Sequence, residues 1–214
     1  MSSNFSKWNS EKQNPDDPLY VVLFTSRNKD NKNVPEYHER RRTMLWHLPD
    51  TLSPSDQLNK RFLSFVRDGV AGELSRMYIT LNSRDPVKIK RMLMHQLIDD
   101  NLTGSTPLAH MDTAVASIAA KKECAAERKW FFDFDIADEN ARDYFIKDIT
   151  NAAGEDNHVS FVPTPHGYAI IVNHGFDIRK LSDFSKNLME NGSITLKRDD
   201  MICVKWMRKE ETDD

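Results

Sequence analysis

Two cysteines in 214 residues, Cys124 and Cys203, are too few for a disulfide framework and cannot make a four-cysteine zinc site. No stretch approaches the roughly 18 consecutive apolar residues of a membrane span. The opening MSSNFSKWNSEKQNPDDP lacks the apolar h-region that directs secretion. Neither a G-x-x-x-x-G-K-[ST] loop nor a G-x-G-x-x-G turn occurs, which argues against P-loop and Rossmann nucleotide binding. His38, His47, His95 and His110 show no H-x-x-x-H spacing, and no serine or cysteine sits in a glycine elbow. An excess of charge is also lacking. Thirty basic and 33 acidic residues leave a formal charge of −3, so a surface for phosphate has to be local. These absences, with 39 % hydrophobic residues, predict a cytoplasmic protein with a packed core and no membrane partner.

Local basic clusters are present: Arg40, Arg41 and Arg42; Lys88, Lys90 and Arg91; Arg128 with Lys129; Lys197 with Arg198. Residues 1–18 are polar and read as a flexible tail, as does the acidic end, 209–214. Between them lie two parts, 19–129 and 130–208. The first is mixed α/β: strands over 19–26 (LYVVLFTS) and 76–82 (RMYITLN), and helices near 58–68, over 86–100 behind the Asp85-Pro86 start, and from Pro107 to about Lys122.

The second part has the clearer pattern. WFFDFDI (130–136) is a strand; Asp138 caps a helix with Ala141, Tyr144, Phe145 and Ile149 on one face. HVSFVPT (158–164) and YAIIVN (168–173), joined by a short turn, make a hairpin. Asp177 caps a second helix that Asn191-Gly192 ends, and strands over 194–198 and 201–206 close the chain. The fold class this implies is α+β: a β-α-β-β-α-β core of the ferredoxin or RRM-like kind over about 130–206, with both helices on one face and the other face open, behind an N-terminal mixed α/β extension.

Alternation along 130–136 puts Trp130, Phe132, Phe134 and Ile136 on one side, and Phe131, Asp133 and Asp135 on the other. Two carboxylates on one strand face lie about 7 Å apart. They repel each other, and aspartate is otherwise depleted in strands. A divalent cation, Mg²⁺ or Mn²⁺, bridging them resolves both points, because Mg²⁺ takes one or two carboxylates plus substrate phosphates. A solvated strand face with both aspartates paired to Lys or Arg is the structural alternative.

The hydrophobic-Asp-hydrophobic-Asp strand, the hairpin, and the segments RMYITLNSRD, WFFDFDI, TPHGYAIIV and LKRDDMICVKW resemble the catalytic core of archaeo-eukaryotic primases and primase-polymerases, and small primase-like proteins of tailed phages. The resemblance spans roughly 76–206. It implies metal binding by Asp133 and Asp135, a histidine on the hairpin against the nucleotide phosphate, and a third metal carboxylate on the last strands. Ala169 stands where that histidine is expected, which leaves His166 on the turn to replace it; Asp199, with Asp200 beside it, is the candidate third carboxylate.

The function expected from this is metal-dependent nucleotidyl transfer on nucleic acid, single-stranded or template, or on nucleoside triphosphates, in the host cytoplasm if the chain is phage-encoded. Thr164, Lys197 and Arg198 would contact phosphate. One alternative is a non-catalytic nucleic-acid-binding or host-interaction protein whose open sheet face presents Phe131 and Tyr168 for stacking. Another is a metal-dependent nuclease.

Overall fold

A computed structural model describes residues 13–103, 111–154 and 156–210. Of the expected tails, residues 1–12 and 211–214 lie outside the described residues, as does the predicted helix start at Pro107.

The first sheet has the order β2-β1-β3-β8, with every neighbour antiparallel. Its strands are β1 (Leu19–Ser26), β2 (Arg40–His47), β3 (Leu74–Thr80) and β8 (Met201–Arg208). β1 is buried along nearly its whole length because both of its faces are covered. Tyr20, Val22 and Phe24 meet α1 (Asp56–Arg67), which offers Leu58, Phe62, Phe65 and Val66 on one stripe. Ser55 caps that helix by accepting the amide of Leu58. On the opposite face, Val21 packs under α2 (Pro86–Thr103) and α3 (Met111–Ala119) through Ile89 and Ile118. Asp85 caps α2, accepting from Val87 N and Lys88 N at 2.8 and 3.2 Å.

β2 was not expected. Three consecutive arginines hide its alternation, and they are tolerated because β2 is an edge strand.

The second sheet has the order β5-β6-β4-β7, again antiparallel throughout. It contains β4 (Trp130–Phe134), β5 (Val159–Thr164), β6 (Gly167–Val172) and β7 (Ile194–Lys197). Phe132, Phe134, Ile170, Val172 and Ile194 form one face. Onto that same face pack α4 (Glu139–Ala153), through Phe145 and Ile149, and α5 (Asp183–Glu190), through Leu188 and Met189. Each such fully buried side chain contributes about 1.5–3 kcal/mol.

The architecture is therefore α+β with two antiparallel sheets and, among the described residues, five α-helices. None of the helices is long and apolar enough to cross a membrane.

Three features differ from expectation. The helix predicted from Asp177 is broken: Asp177 caps only a 3-10 turn at Ile178–Lys180, Leu181 drops into the core, and α5 starts anew behind Ser182. Asp148 holds Ser182 by accepting its amide and hydroxyl at 2.9 and 2.8 Å. The last strand, β8, pairs with β3 and so completes the first sheet rather than the second. Finally, the helix-free face of the second sheet is not open. Phe131, Ala169 and Ile171 are buried there against Leu81 and Ile202, with Leu52, Val162 and Val204 around them.

Candidate active-site cleft between the two sheets

Where the helix-free face of the second sheet runs past that apolar contact, residues of both sheets line a cleft of about 490 Å³. Pleating decides what faces it. On the second sheet the register sets Asp133 opposite Ala169, Lys197 opposite Phe131, and Thr164 opposite Gly167, so these side chains share one wall with Asp135. Gly167 is required where it stands, since a Cβ there would lie 2.0 Å from the carbonyl oxygen of Phe134. On the first sheet the same alternation turns Thr25, Arg41, Arg76 and Tyr78 to the cleft, with Arg27 and Lys29 at the end of β1. Arg40 points the other way, binding Glu73 and stacking on Phe65 at 4.4 Å.

One wall thus carries Asp133 and Asp135 with Lys197 among them, and the other is mainly cationic, with Arg27, Lys29, Arg41 and Arg76 beside the single carboxylate of Glu39. Burial raises the pKa of Asp133 above its ordinary value, and repulsion from Asp135 and then Asp200 adds to this, against attraction from Lys197 and Lys29. Asp133 is a carboxylate short of positive charge.

Across the cleft, Asp30 binds both Arg27 and Arg76 at 2.7 Å. Burial opposes its ionisation, yet the hydrogen bond from Arg27 and the charge of Arg76 outweigh it and hold the carboxyl below its usual range. Arg76 is 5 % exposed, its Nη2 stands 3.4 Å from His166 Nε2, and its buried Nε has no hydrogen-bond partner. Burial pushes the Cys203 thiol up to about 11, so it is no nucleophile at neutral pH.

The cleft brings together Asp133, Asp135, Thr164, His166 and Lys197 among the residues singled out from sequence. Three others, Asp199, Arg198 and Tyr168, are placed elsewhere, and Phe131 reaches the cleft only as a buried side chain. Asp199 is bound by Arg84 at 2.8 Å and by Asn82 Nδ2 at 3.0 Å, where it anchors the β7–β8 turn to the first sheet. Its neighbour Asp200 lines the cleft instead, 3.7 Å from Lys197 Nζ. Arg198 stacks over Trp130 at 5.3 Å, on the helix-covered side. Tyr168 is on that side too, with Arg142 over its ring at 4.7 Å. Phe131 borders the cleft but is 4 % exposed, leaving no face for a base.

Sequence reasoning missed Arg27, Lys29, Arg76 and Tyr78. For Arg76 and Tyr78 a signal existed in the period-2 pattern of RMYITLN. Arg41 lay within a recognised cluster, but its face was unreadable without knowing that β2 is a strand.

Among the described residues no three His, Cys, Asp or Glu side chains are grouped so as to hold a metal ion. The Asp133–Asp135 wall with Asp200 nearby nevertheless fits the Mg²⁺ pattern of one or two carboxylates completed by phosphate oxygens. No family model matches the chain, and no curated protein or solved structure matches it significantly.

Proposed function

We propose that the cleft is a divalent-metal-dependent nucleotidyl-transfer site of the primase-polymerase type, taking a nucleoside triphosphate as donor. The observation that carries this reading is one cleft lined by Asp133, Asp135 and Asp200, with Lys197 among them, and by Arg27, Lys29, Arg41 and Arg76, with Glu39 among those. A bound triphosphate needs both. The order β5-β6-β4-β7, with α4 and α5 on one face, also supports a ferredoxin or RRM-like core for 130–197.

Mg²⁺ or Mn²⁺, when bound, would neutralise the phosphates and lower the barrier to in-line displacement. Asp133 and Asp135 would hold it, with Asp200 beside them. Phosphate oxygens of a bound nucleotide would supply the further ligands that Mg²⁺ takes beside one or two carboxylates. Arg76, fixed by Asp30, and His166 beside it face the phosphates; Lys197 and Thr164 reach them from the other wall. His166 thereby stands in for the imidazole that Ala169 does not supply. In the reaction an acceptor hydroxyl oxygen forms a bond to the α-phosphorus. The bond from that phosphorus to the bridging oxygen breaks, pyrophosphate leaves, and the hydroxyl proton passes to water.

The binding-module alternative took Phe131 and Tyr168 as one stacking face, but Phe131 is buried and Tyr168 lies on the helix-covered side beneath Arg142. The test is incubation of the protein with labelled nucleoside triphosphate, Mn²⁺ and a single-stranded template. The expected result is labelled polymer that is lost in Asp135→Ala. Absence of product with wild type, or product that persists in Asp135→Ala, refutes the reading, and shortening of the template in its place assigns hydrolysis.

A further inference from the structure

The cleft does not close at His166. A second groove, of about 760 Å³, shares Lys29, Arg76, Pro165 and His166 with it and runs on over the end of β8 past Trp206 and Arg208. Trp206 lines this groove and is 39 % exposed, so part of its indole face is open to a ligand.

Three cations line the groove, Lys29, Arg76 and Arg208, against the one carboxylate of Asp30. In a chain of net charge −3, that is a local reversal of sign. Arg208 is held in place by donating to Gly72 O at 2.6 Å, while the exposed Lys29 lines both the groove and the cleft. Between them the deeply buried Arg76 keeps its Nε unpartnered where cleft and groove meet.

We propose that this groove binds a single strand of nucleic acid, with a base stacked on Trp206 and phosphates on Lys29 and Arg208, and leads that strand into the cleft. The stacking face and the row of cations are the two elements of single-strand binding. A duplex keeps its bases out of reach of an indole, and a mononucleotide is accommodated by the cleft alone; the groove beyond it calls for a polymer. The direction of the strand rests on the reading of the cleft as a phosphoryl-transfer site, but the binding does not.

The experiment is fluorescence anisotropy of a labelled oligothymidylate with the full chain, in EDTA, across a salt series. Trp206→Ala is expected to weaken binding roughly ten-fold or more, and Trp206→Phe to retain most of it. Lys29→Gln with Arg208→Gln should make the plot of log affinity against log salt shallower by about 1.4, because each single-strand phosphate contact is worth about 0.7. Asp133→Asn with Asp135→Asn should leave the affinity unchanged or raise it.

Undetectable binding at low salt overturns the proposal, as does affinity indifferent to Trp206 and to the two cations. Competition by an acidic peptide with equal strength also overturns it and assigns the groove to a protein partner. Metal-dependent transfer with Trp206-independent binding leaves the cleft reading standing and this one refuted. Trp206-dependent binding without any transfer does the reverse.

Discussion

Asp133→Asn is the most informative single perturbation of the cleft. Asp133 in β4 and Asp135 just past its end line the same cleft, and the ideal strand spacing of about 7 Å corresponds at an effective dielectric of about 20 to roughly 2 kcal/mol of repulsion. Asp135 is exposed and Lys197 attracts Asp133, so solvent and the cation reduce this to about 1 kcal/mol. For a chain of this size that is a rise in Tm of about 2–4 °C for Asp133→Asn at pH 7 without metal.

The sign follows from the direction of the shift. The Asp133 pKa is raised in the folded state, so ionising it costs stability, and the cost vanishes once pH falls below the ordinary carboxylate value. The gap between variant and wild type should therefore be present at neutral pH and close in acid.

Mn²⁺ with a nucleoside triphosphate reverses the ranking. At about 100 times Kd a ligand adds about 2.7 kcal/mol, hence roughly 5–10 °C for wild type and little for the variant. Differential scanning fluorimetry across pH, with and without Mn²⁺ and nucleotide, reads all of this. A variant several degrees less stable than wild type without metal, combined with equal Mn²⁺-nucleotide shifts in both, would refute the site. It would make Asp133 a structural partner of Lys197.

Asp199→Asn should cost about 3 kcal/mol, because it leaves the buried Arg84 guanidinium without its carboxylate, yet leave Mn²⁺-nucleotide binding intact. Asp200→Asn should do the opposite, shifting stability by about 0.5 kcal/mol or less and weakening that binding; urea melts and calorimetry separate the two. Asp30→Asn should destabilise by about 3 kcal/mol at pH 7. Since the Asp30 pKa is depressed in the folded state, the loss should shrink as pH falls through that lowered value, and a pH-independent loss would contradict the pairing. Phe131→Ala should cost about 3–5 kcal/mol as a core truncation, with oligonucleotide affinity of the folded fraction unchanged.

Much of what positions this cleft is local and was legible in the residues. Alternation alone put Asp133 and Asp135 on one side of β4, because successive side chains of a strand point to opposite faces whatever surrounds them. The Asp138 cap, the α4 stripe at Ala141, Phe145 and Ile149, though not the half-exposed Tyr144 expected with them, and the tight β5–β6 turn were readable for the same reason: their determinants lie within a few residues of one another. What lies across from a face is not local. Phe131 and Tyr168 are buried or turned away because the first sheet covers one side of β4 and the helices cover the other.

The choice between Asp199 and Asp200 was beyond any periodicity, since adjacent turn residues differ only in where the chain bends, and the partner of Asp199 is Arg84, 115 positions away. The cationic wall was hidden most completely. Arg27, Arg41 and Arg76 come from three strands of a sheet whose register with β4 no spacing encodes, and only the tertiary packing of the two sheets sets them opposite the aspartates.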